Sequence, residues 1–175
     1  LGKLKPLNTK DVPASFKSTV KVELKFDHDE DKVACPTFLG RQIKGVRNGP
    51  SPQWLQARLK AVGLRPISAL VDITNYLTLS LNRPLHVFDV KRLQGDIHVR
   101  FAKKGESLDA LNDKSYDLQP DMTAICDDSG VIGLGGIIGG VSTSVESDTT
   151  DVYLEIAYFD PMRTARTGRT LQINS

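Results

Sequence analysis

The chain has 175 residues, of which 39% are hydrophobic and 25% charged, and its formal net charge is +2 at pH 7. This composition is typical of a globular protein with one domain, or with two small halves that share a core. Because no apolar run approaches the roughly 20 residues of a membrane span, we expect neither a membrane span nor a signal peptide. Cys35 and Cys126 are too few for a disulfide scaffold or a zinc site. We therefore expect a reduced, cytoplasmic protein, and its ends at Leu1 and Ser175 lead us to expect a fragment of a longer chain.

The N-terminal part predicts strands. Residues 1–19 are polar and contain prolines, which indicates a linker or the tail of a preceding segment. Apolar and charged residues alternate over residues 20–26, as they do in a strand with one buried face. The acidic run 27–31 predicts a solvated turn. Residues 33–38 and 39–46 then predict a second pair of strands.

Two helices are predicted in the middle of the chain. Ser51 and Pro52 are typical of a helix start, because serine accepts hydrogen bonds from free N–H groups and proline has no N–H to leave unpaired. Gly63 ends this helix, since glycine readily adopts the left-handed conformation. After Pro66, apolar residues recur at helical spacing over residues 67–81, which predicts the second helix.

The second half of the chain predicts short strands and a final helix. The strands are expected at residues 96–101, 107–111, 114–118, 122–126, 131–134 and 152–157. Asp160 and Pro161 then begin a helix that runs to about Thr170. Strands cluster at the start and in the second half, whereas helices lie in the middle and at the end. This order predicts the α+β class, without regular β–α–β alternation.

Polar residues in apolar surroundings are the first candidates for chemistry. Asp72, Thr74 and Asn75 lie in the second predicted helix, which is otherwise apolar. They either tie the helix to a neighbouring loop or face a ligand, because buried polar groups need hydrogen-bond partners. His86 follows apolar Leu85 and is either a hydrogen-bonded core or rim residue or part of a site.

The glycine-rich segment 133–140 is a second candidate. It includes Gly136 and Gly139, but it has neither the spacing of a dinucleotide-binding loop nor the Lys-Ser/Thr ending of a P-loop. Bare backbone at these positions permits close approach to a ligand or to another chain segment, and both alternatives stay open.

Charged residues near the C-terminus complete the candidates. Glu155 lies between apolar strand residues, so it is either exposed at the surface or held in a pocket. Arg163, Arg166 and Arg169 recur every three residues on the last predicted helix, and such a stripe faces either phosphate or solvent. The sequence contains no metal-binding motif and no Ser/His/Asp signature.

Six short motifs occur in order along the chain. They are Ser51-Pro52-x-Trp54-Leu55, Gly63-Leu64-Arg65-Pro66-Ile67, Val71-Asp72-x-Thr74-Asn75-Tyr76, Pro84-Leu85-His86-x-Phe88-Asp89, Gly135-Gly136-Ile137-Ile138-Gly139-Gly140 and Glu155-x-Ala157-x-Phe159-Asp160-Pro161. Each motif is weak alone, but six in register are specific. Over residues 35–175 the set resembles the central editing region of the beta subunit of bacterial phenylalanyl-tRNA synthetase. Residues 1–34 then correspond to the tail of the preceding part of that subunit and a leading strand.

The resemblance implies a fold and an activity. The fold consists of two interleaved α+β subdomains, with mixed or antiparallel sheets and helices in layers and a cleft between them. The activity is hydrolysis of the ester that joins tyrosine wrongly to the acceptor end of tRNA(Phe). An apolar synthetic pocket rejects an added hydroxyl only about 100-fold, whereas a second site that requires this hydroxyl rejects phenylalanine.

The resemblance also implies roles for individual residues. Glu155 corresponds to the residue that reads the tyrosine hydroxyl, and His86 to a cleft histidine that holds substrate or water near the ester. The resemblance places the remaining candidates as follows: Thr74 and Asn75 near the aminoacyl group, Gly136 and Gly139 in a glycine-rich wall, and Ser175 at the start of a further wall segment. Asn75, His86 and Glu155 are therefore expected to open onto one cavity beside residues 135–140.

The implied complete enzyme is a tetramer of two alpha and two beta chains. ATP and magnesium belong to its synthetic site elsewhere, so neither a metal nor a cofactor is expected in this chain. Two alternatives remain: a non-catalytic tRNA-docking module, with Arg163, Arg166 and Arg169 contacting RNA, and a stand-alone protein that edits or binds RNA in trans.

Overall fold

The computed structural model describes residues 2–3, 6–7 and 10–173. The strands are β1 Val22–Leu24, β2 Thr37–Lys44, β3 His86–Asp89, β4 Ile97–Phe101, β5 Ser107–Asp109, β6 Ser115–Asp117, β7 Thr123–Asp127, β8 Gly130–Leu134, β9 Ile138–Gly139 and β10 Asp151–Tyr158. The helices are a 3-10 helix Asp29–Ala34, α1 Gln53–Ala61, α2 Ala69–Leu81 and α3 Pro161–Thr170.

Two sheets form the body of the fold, and the chain passes back and forth between them. One sheet has five strands in the order β1-β4-β7-β8-β9, the other has the order β2-β10-β3, and β5 pairs with β6 in a hairpin. Only the β1–β4 pair is parallel among these ladders. β1 of the larger sheet precedes β2 and β3, and β4, β7, β8 and β9 of that sheet separate β3 from β10. The two halves therefore interleave in sequence, and the predicted α+β class is confirmed.

The two sheets share a core on one face of β10. Alternate residues of a strand point to the same face, so Tyr153 lies on the same side as Glu155. Tyr153 packs with Phe88 of β3 and with Ile97 and Ile125 of the larger sheet. The face of β10 that carries Glu155 is therefore turned towards the other sheet and away from solvent.

A glycine in β2 makes room for this packing. An ideal Cβ on Gly40 would lie 1.7 Å from the hydroxyl oxygen of Tyr153. No side chain fits in that space, so the Tyr153 ring reaches across β2 only because residue 40 is glycine.

The N-terminal strand belongs to the same folded unit. β1 pairs with β4 in register from Val22 opposite Ile97 to Leu24 opposite Val99, and Val20 is buried in the shared core. Residues before and after the predicted boundary between residues 34 and 35 therefore share one sheet and one core.

The predicted strand at residues 33–38 is wrong in its first half. The acidic run does not end in a simple turn but leads into the 3-10 helix Asp29–Ala34, whose first turn contains Asp29, Glu30 and Asp31. Acidic side chains are favoured at a helix N-terminus because the free N–H groups there carry partial positive charge. A single long strand, β2, then replaces the predicted pair.

The predicted helices are confirmed, but the cap of α1 differs from the prediction. Pro52 occupies the N-cap position and makes no side-chain hydrogen bond. Ser51 instead donates its hydroxyl to the carboxylate of Asp72 in α2. The other carboxylate oxygen of Asp72 accepts from the Ile67 backbone N–H at 2.8 Å. Asp72 therefore ties the start of α1 and the linker to α2, which is the first of the two roles that the sequence allowed for it.

None of the helices in the described ranges is long and apolar enough to cross a bilayer.

The buried tie at Asp72 generates a prediction of stability. Asp72→Ala removes both acceptors and leaves the Ser51 hydroxyl and the Ile67 N–H without partners, so we expect the free energy of unfolding to fall by about 3 kcal/mol. Urea denaturation followed by circular dichroism measures this change. Asp148 is exposed, and Asp148→Ala serves as the matched control with an expected change within about 0.5 kcal/mol. Equal effects of the two substitutions would contradict the tie.

Candidate active site

A cavity of about 790 Å³ opens where the smaller sheet, the glycine-rich segment and the start of α3 meet. Its wall is formed by the ends of β2, β3 and β10, by residues 133–139 and by Phe159, Pro161 and Thr164. The cavity therefore lies between the two sheets, which is the predicted place of the cleft.

Glu155 is buried at the inner wall of this cavity. It lies in β10, opposite Gly40 of β2 on one side and opposite His86 of β3 on the other. Only 5% of the residue is exposed, and its buried Oε2 atom has no hydrogen-bond partner among the described residues. Burial raises the pKa of the carboxyl to about 8, so the group is protonated at neutral pH. Surface exposure, one of the two alternatives for Glu155, is thereby excluded.

His86 faces Glu155 across the β3–β10 pair. Directly opposed residues of antiparallel strands have Cβ atoms about 4.5–5.5 Å apart. The imidazole packs edge-on against Phe88, with ring centroids 4.5 Å apart and an interplanar angle of 75°. Its Nε2 atom is buried and has no hydrogen-bond partner in the described part of the chain. Burial lowers the pKa of His86 to about 4, so the ring is neutral at pH 7.

Each of these two side chains has one buried polar atom that no described residue satisfies. A buried polar atom without a partner costs about 1–3 kcal/mol, and such atoms in folded proteins call for an explanation such as a ligand. The protonated carboxyl of Glu155 can both donate and accept, and the neutral ring of His86 has one donor and one acceptor nitrogen. A ligand in the cavity therefore meets two neighbouring hydrogen-bonding groups, the Glu155 carboxyl and the His86 imidazole, in an otherwise apolar wall.

The glycine-rich segment fits closely around the pair. An ideal Cβ on Gly139 would lie 2.3 Å from Cε1 of His86, so a side chain at this position would displace the imidazole. Gly136 has φ +71°, and an ideal Cβ there would lie 3.2 Å from Cδ2 of Phe159. Both glycines line the cavity, and both also permit close packing. Close approach to another chain segment is therefore confirmed, and close approach to a ligand stays a prediction.

Thr74 and Asn75 do not line the cavity. The Thr74 hydroxyl donates to the Val71 carbonyl at 2.8 Å, within α2. After β2, the next residue of the cavity wall along the chain is Arg83, which follows the end of α2. Asn75 lies about 9 Å along the helix axis before that end. The expectation that Asn75 opens onto the same cavity as His86 and Glu155 is wrong for this reason.

The remaining predicted site residues are distributed as follows. Ser175 lies outside the described residues. Arg163 donates to the Asp121 carbonyl at 2.7 Å, whereas Arg166 and Arg169 are exposed. The three arginines therefore do not form a uniform exposed stripe, because the first is held against the neighbouring loop. Within the described residues, no group of three or more His, Cys, Asp and Glu side chains could hold a metal ion.

Cys35 is a neighbour of Glu155 that the motifs did not identify. It is fully buried, and its thiol approaches the Thr37 carbonyl at 3.6 Å. Burial, and secondarily the negative charge of Glu155, raises the pKa of this thiol to about 12. It is therefore a protonated, uncharged neighbour of the carboxyl. Its sequence context at the end of an acidic run offered no signal for this position.

Comparisons with known proteins point to one family. The family model described as "B3/4 domain" matches residues 34–175. The chain is 56% identical to the phenylalanine–tRNA ligase beta subunit of Paramagnetospirillum magneticum and 54% identical to that of Cereibacter sphaeroides, in each case over all of this chain and 22% of the relative. The chain thus spans about a fifth of the length of these relatives.

A solved structure shares the fold. It is an N-terminal fragment of the phenylalanyl-tRNA synthetase beta-subunit from Pyrococcus horikoshii, with a TM-score of 0.60 and 15% sequence identity, and the match covers 89% of this chain and 48% of that one. The resemblance predicted from the six motifs is confirmed by the relatives. Since the family model covers most of the chain, the chain belongs to the B3/4 domain family.

Proposed function

We propose that the cavity is the editing site of a phenylalanine–tRNA ligase beta subunit and hydrolyses the ester of tyrosine misattached to tRNA(Phe) during protein synthesis. The single observation that carries this proposal is the buried, unpartnered carboxyl of Glu155 opposite His86 at the inner wall of the cavity. The identity with beta subunits along the whole chain supports the family context.

Selectivity for tyrosine follows from the pairing of Glu155. A tyrosine hydroxyl can donate to, or accept from, the protonated carboxyl, so entry of the phenol satisfies the free Oε2 atom. Phenylalanine fills the same space but leaves that atom buried and unpaired. A site built to hydrogen-bond a substrate hydroxyl rejects the analogue without it by roughly 10⁴-fold, so correctly charged tRNA escapes hydrolysis.

Hydrolysis requires no protein nucleophile. Water attacks the ester carbonyl, the bond to the ribose oxygen breaks, and that oxygen takes up a proton as it leaves. Neutral His86 can accept a hydrogen bond from the attacking water at one ring nitrogen, which holds the water near the carbonyl carbon. Gly139 has no side chain, so the imidazole can occupy the space that a Cβ at this position would fill. Thr74 and Asn75 have no contact with substrate in this proposal.

The proposed setting is that of the complete synthetase. The chain supplies the hydrolytic site, the alpha subunit completes a tetramer of two alpha and two beta chains, and ATP and magnesium act only at a synthetic site outside this chain. The partner at the cavity is the acceptor end of tRNA(Phe) that carries tyrosine, and the reaction takes place in the cytoplasm. The chain itself uses no cofactor.

Glu155→Ala tests the recognition of the hydroxyl. In the full-length synthetase we expect kcat/KM for deacylation of tyrosyl-tRNA(Phe) to fall by roughly 100-fold, because the phenol loses its buried partner. Charging with phenylalanine should be unchanged. Deacylation of purified mischarged tRNA measures the effect, with Glu30→Gln as an exposed glutamate control.

Unchanged clearance of tyrosyl-tRNA(Phe) by Glu155→Ala would contradict the proposed role. If the wild-type synthetase bound tRNA but cleared no mischarged product, the domain would be a docking module without hydrolytic function.

Gly139→Ala tests the fit between the glycine wall and His86. The added methyl group overlaps the imidazole, so His86 must move, and we expect kcat for deacylation to fall at least tenfold while the chain stays folded. Gly49 is the matched control, because an ideal Cβ there has no neighbour within 4 Å. Wild-type deacylation by Gly139→Ala would show that the imidazole position does not matter to the reaction.

The buried state of Glu155 predicts a pH dependence of stability. The unfolded chain ionises this group near pH 4.5, whereas the folded chain keeps it protonated to about pH 8. Folding therefore takes up a proton in this range, and the free energy of unfolding falls as the pH rises. His86 opposes this trend only below about pH 6.5, where the unfolded imidazole is charged and the folded one is neutral.

Between pH 6.5 and 8, the wild-type chain should therefore lose about 2 kcal/mol relative to Glu155→Gln, which cannot titrate. Urea denaturation of both proteins at several pH values measures the difference. Parallel pH profiles would show that Glu155 ionises normally in the folded chain.

A further inference from the structure

One segment of the chain carries basic residues that almost no acidic residue of the same segment balances. Of its 23 Lys and Arg and 21 Asp and Glu residues, residues 32–88 hold eight of the former and one of the latter. The single acid, Asp72, is fully buried. All charged side chains that this segment exposes are therefore positive, although the whole chain is nearly neutral.

The helical part of this segment keeps its positive charge uncompensated. Arg58, Lys60 and Arg65 are exposed, and none forms an ion pair within the described part of the chain. Elsewhere, cations such as Arg92 and Arg100 are paired with glutamates. Cations without an ion-pair partner, here on α1 and in the linker that follows it, attract anions from solution and are typical of nucleic-acid-binding surfaces.

An ordered aromatic group lies beside one of these cations, Arg58. Trp54 of α1 and Tyr76 of α2 pack edge-on with ring centroids 5.6 Å apart. The guanidinium of Arg58, one turn after Trp54, lies 5.6 Å from each ring centroid and donates to the Tyr76 hydroxyl at 2.6 Å. Trp54 nevertheless remains 55% exposed. The cation is thus held in place beside a large aromatic face that solvent can reach.

We propose that the α1–α2 surface, formed by Trp54, Arg58, Lys60, Arg65 and Tyr76, binds RNA. An unpaired base stacks on the exposed face of Trp54, and Arg58 contacts a phosphate beside it. Lys60 and Arg65 add to the positive field that attracts the RNA. Stacking on an aromatic side chain next to an arginine is a common way in which proteins hold single-stranded RNA. None of the five residues lines the cavity. The α1–α2 surface is therefore separate from the cavity. The inference rests on the proposed function in one respect only, which is that the RNA is a tRNA.

Helix packing alone, or contact with a protein partner, accounts less well for the α1–α2 surface. The aromatic group could serve only to pack α1 on α2, but Leu55 and Leu59 are already buried on the inner side of α1, and packing does not require an exposed tryptophan. A protein partner would suit the exposed Val62 and Ile73. It does not account for the absence of any exposed acid from residue 32 to 88, whereas a polyanion does.

RNA binding can be measured without any ester chemistry. The probe is a fluorescently labelled, uncharged RNA hairpin with a single-stranded 3′ end, titrated with the 175-residue chain and followed by anisotropy. We expect Trp54→Ala and Arg58→Gln each to weaken binding about tenfold. Arg58→Gln should also lower the slope of log Kd against log salt by about 1, whereas Trp54→Ala should leave it unchanged. Trp54→Phe keeps an aromatic face and should bind within about twofold of wild type.

The controls separate this surface from the other basic sites and from the cavity. Lys104→Gln removes an exposed lysine from a distant turn and should leave the affinity unchanged. Arg166→Gln tests the exposed part of α3 in the same way. Glu155→Ala should bind the uncharged hairpin normally, so loss of editing with intact RNA binding would count against the cavity proposal alone.

The proposal is overturned if the chain does not bind the hairpin, or if Trp54→Ala and Arg58→Gln bind it with wild-type affinity. Loss of binding in Arg166→Gln alone would place the RNA on α3 instead. Unchanged RNA binding with a lower melting temperature for Trp54→Ala would show that the aromatic group serves only to pack α1 on α2. Melting temperatures of all variants show whether any loss is due to unfolding.

Discussion

The site depends on one unfavourable arrangement: a buried carboxyl and a half-buried imidazole that face each other from paired strands. Glu155 and His86 lie where the smaller sheet meets the larger one, and no described residue pairs with Oε2 of the carboxyl or Nε2 of the imidazole. Burial shifts the two pKa values towards each other's usual range, to about 8 for Glu155 and about 4 for His86. Both groups are thereby neutral at pH 7, which makes them selective for hydrogen bonds and not for charge.

The rest of the fold is arranged around this pair. The chain alternates between two sheets, so that strands distant in sequence, β3 and β10, become neighbours and bring His86 opposite Glu155. Glycines then remove the side chains that would block the arrangement: Gly139 leaves room for the imidazole, and Gly40 leaves room for the Tyr153 ring that packs below the carboxyl. Asp72 fixes the helices on the outer side. The stability of the whole domain offsets the cost of the unsatisfied pair at the site.

Local pattern predicted the elements whose signals are local. The period of β10, the Asp160 and Pro161 start of α3 and the spacing of α2 all correspond to the structure. β3 was missed because His86–Asp89 is a short, buried strand without alternation. From the residues alone, Glu155 had two interpretations, and only the register of β10 against β3 decides between them. The family motif around Asn75 predicted that this residue lies near the cavity. A motif within a helix does not determine, however, which end of the helix faces a site.

In the proposed function, the buried carboxyl of Glu155 recognises a phenol hydroxyl inside the cavity. A crystal structure of the domain with a non-hydrolysable analogue, tyrosine joined to adenosine by an amide in place of the ester, tests this recognition most directly. We expect the phenol oxygen within hydrogen-bond distance of Oε2 of Glu155, with the amide carbonyl on the side of His86. A phenol directed to solvent, or an analogue seated outside the cavity, would contradict it.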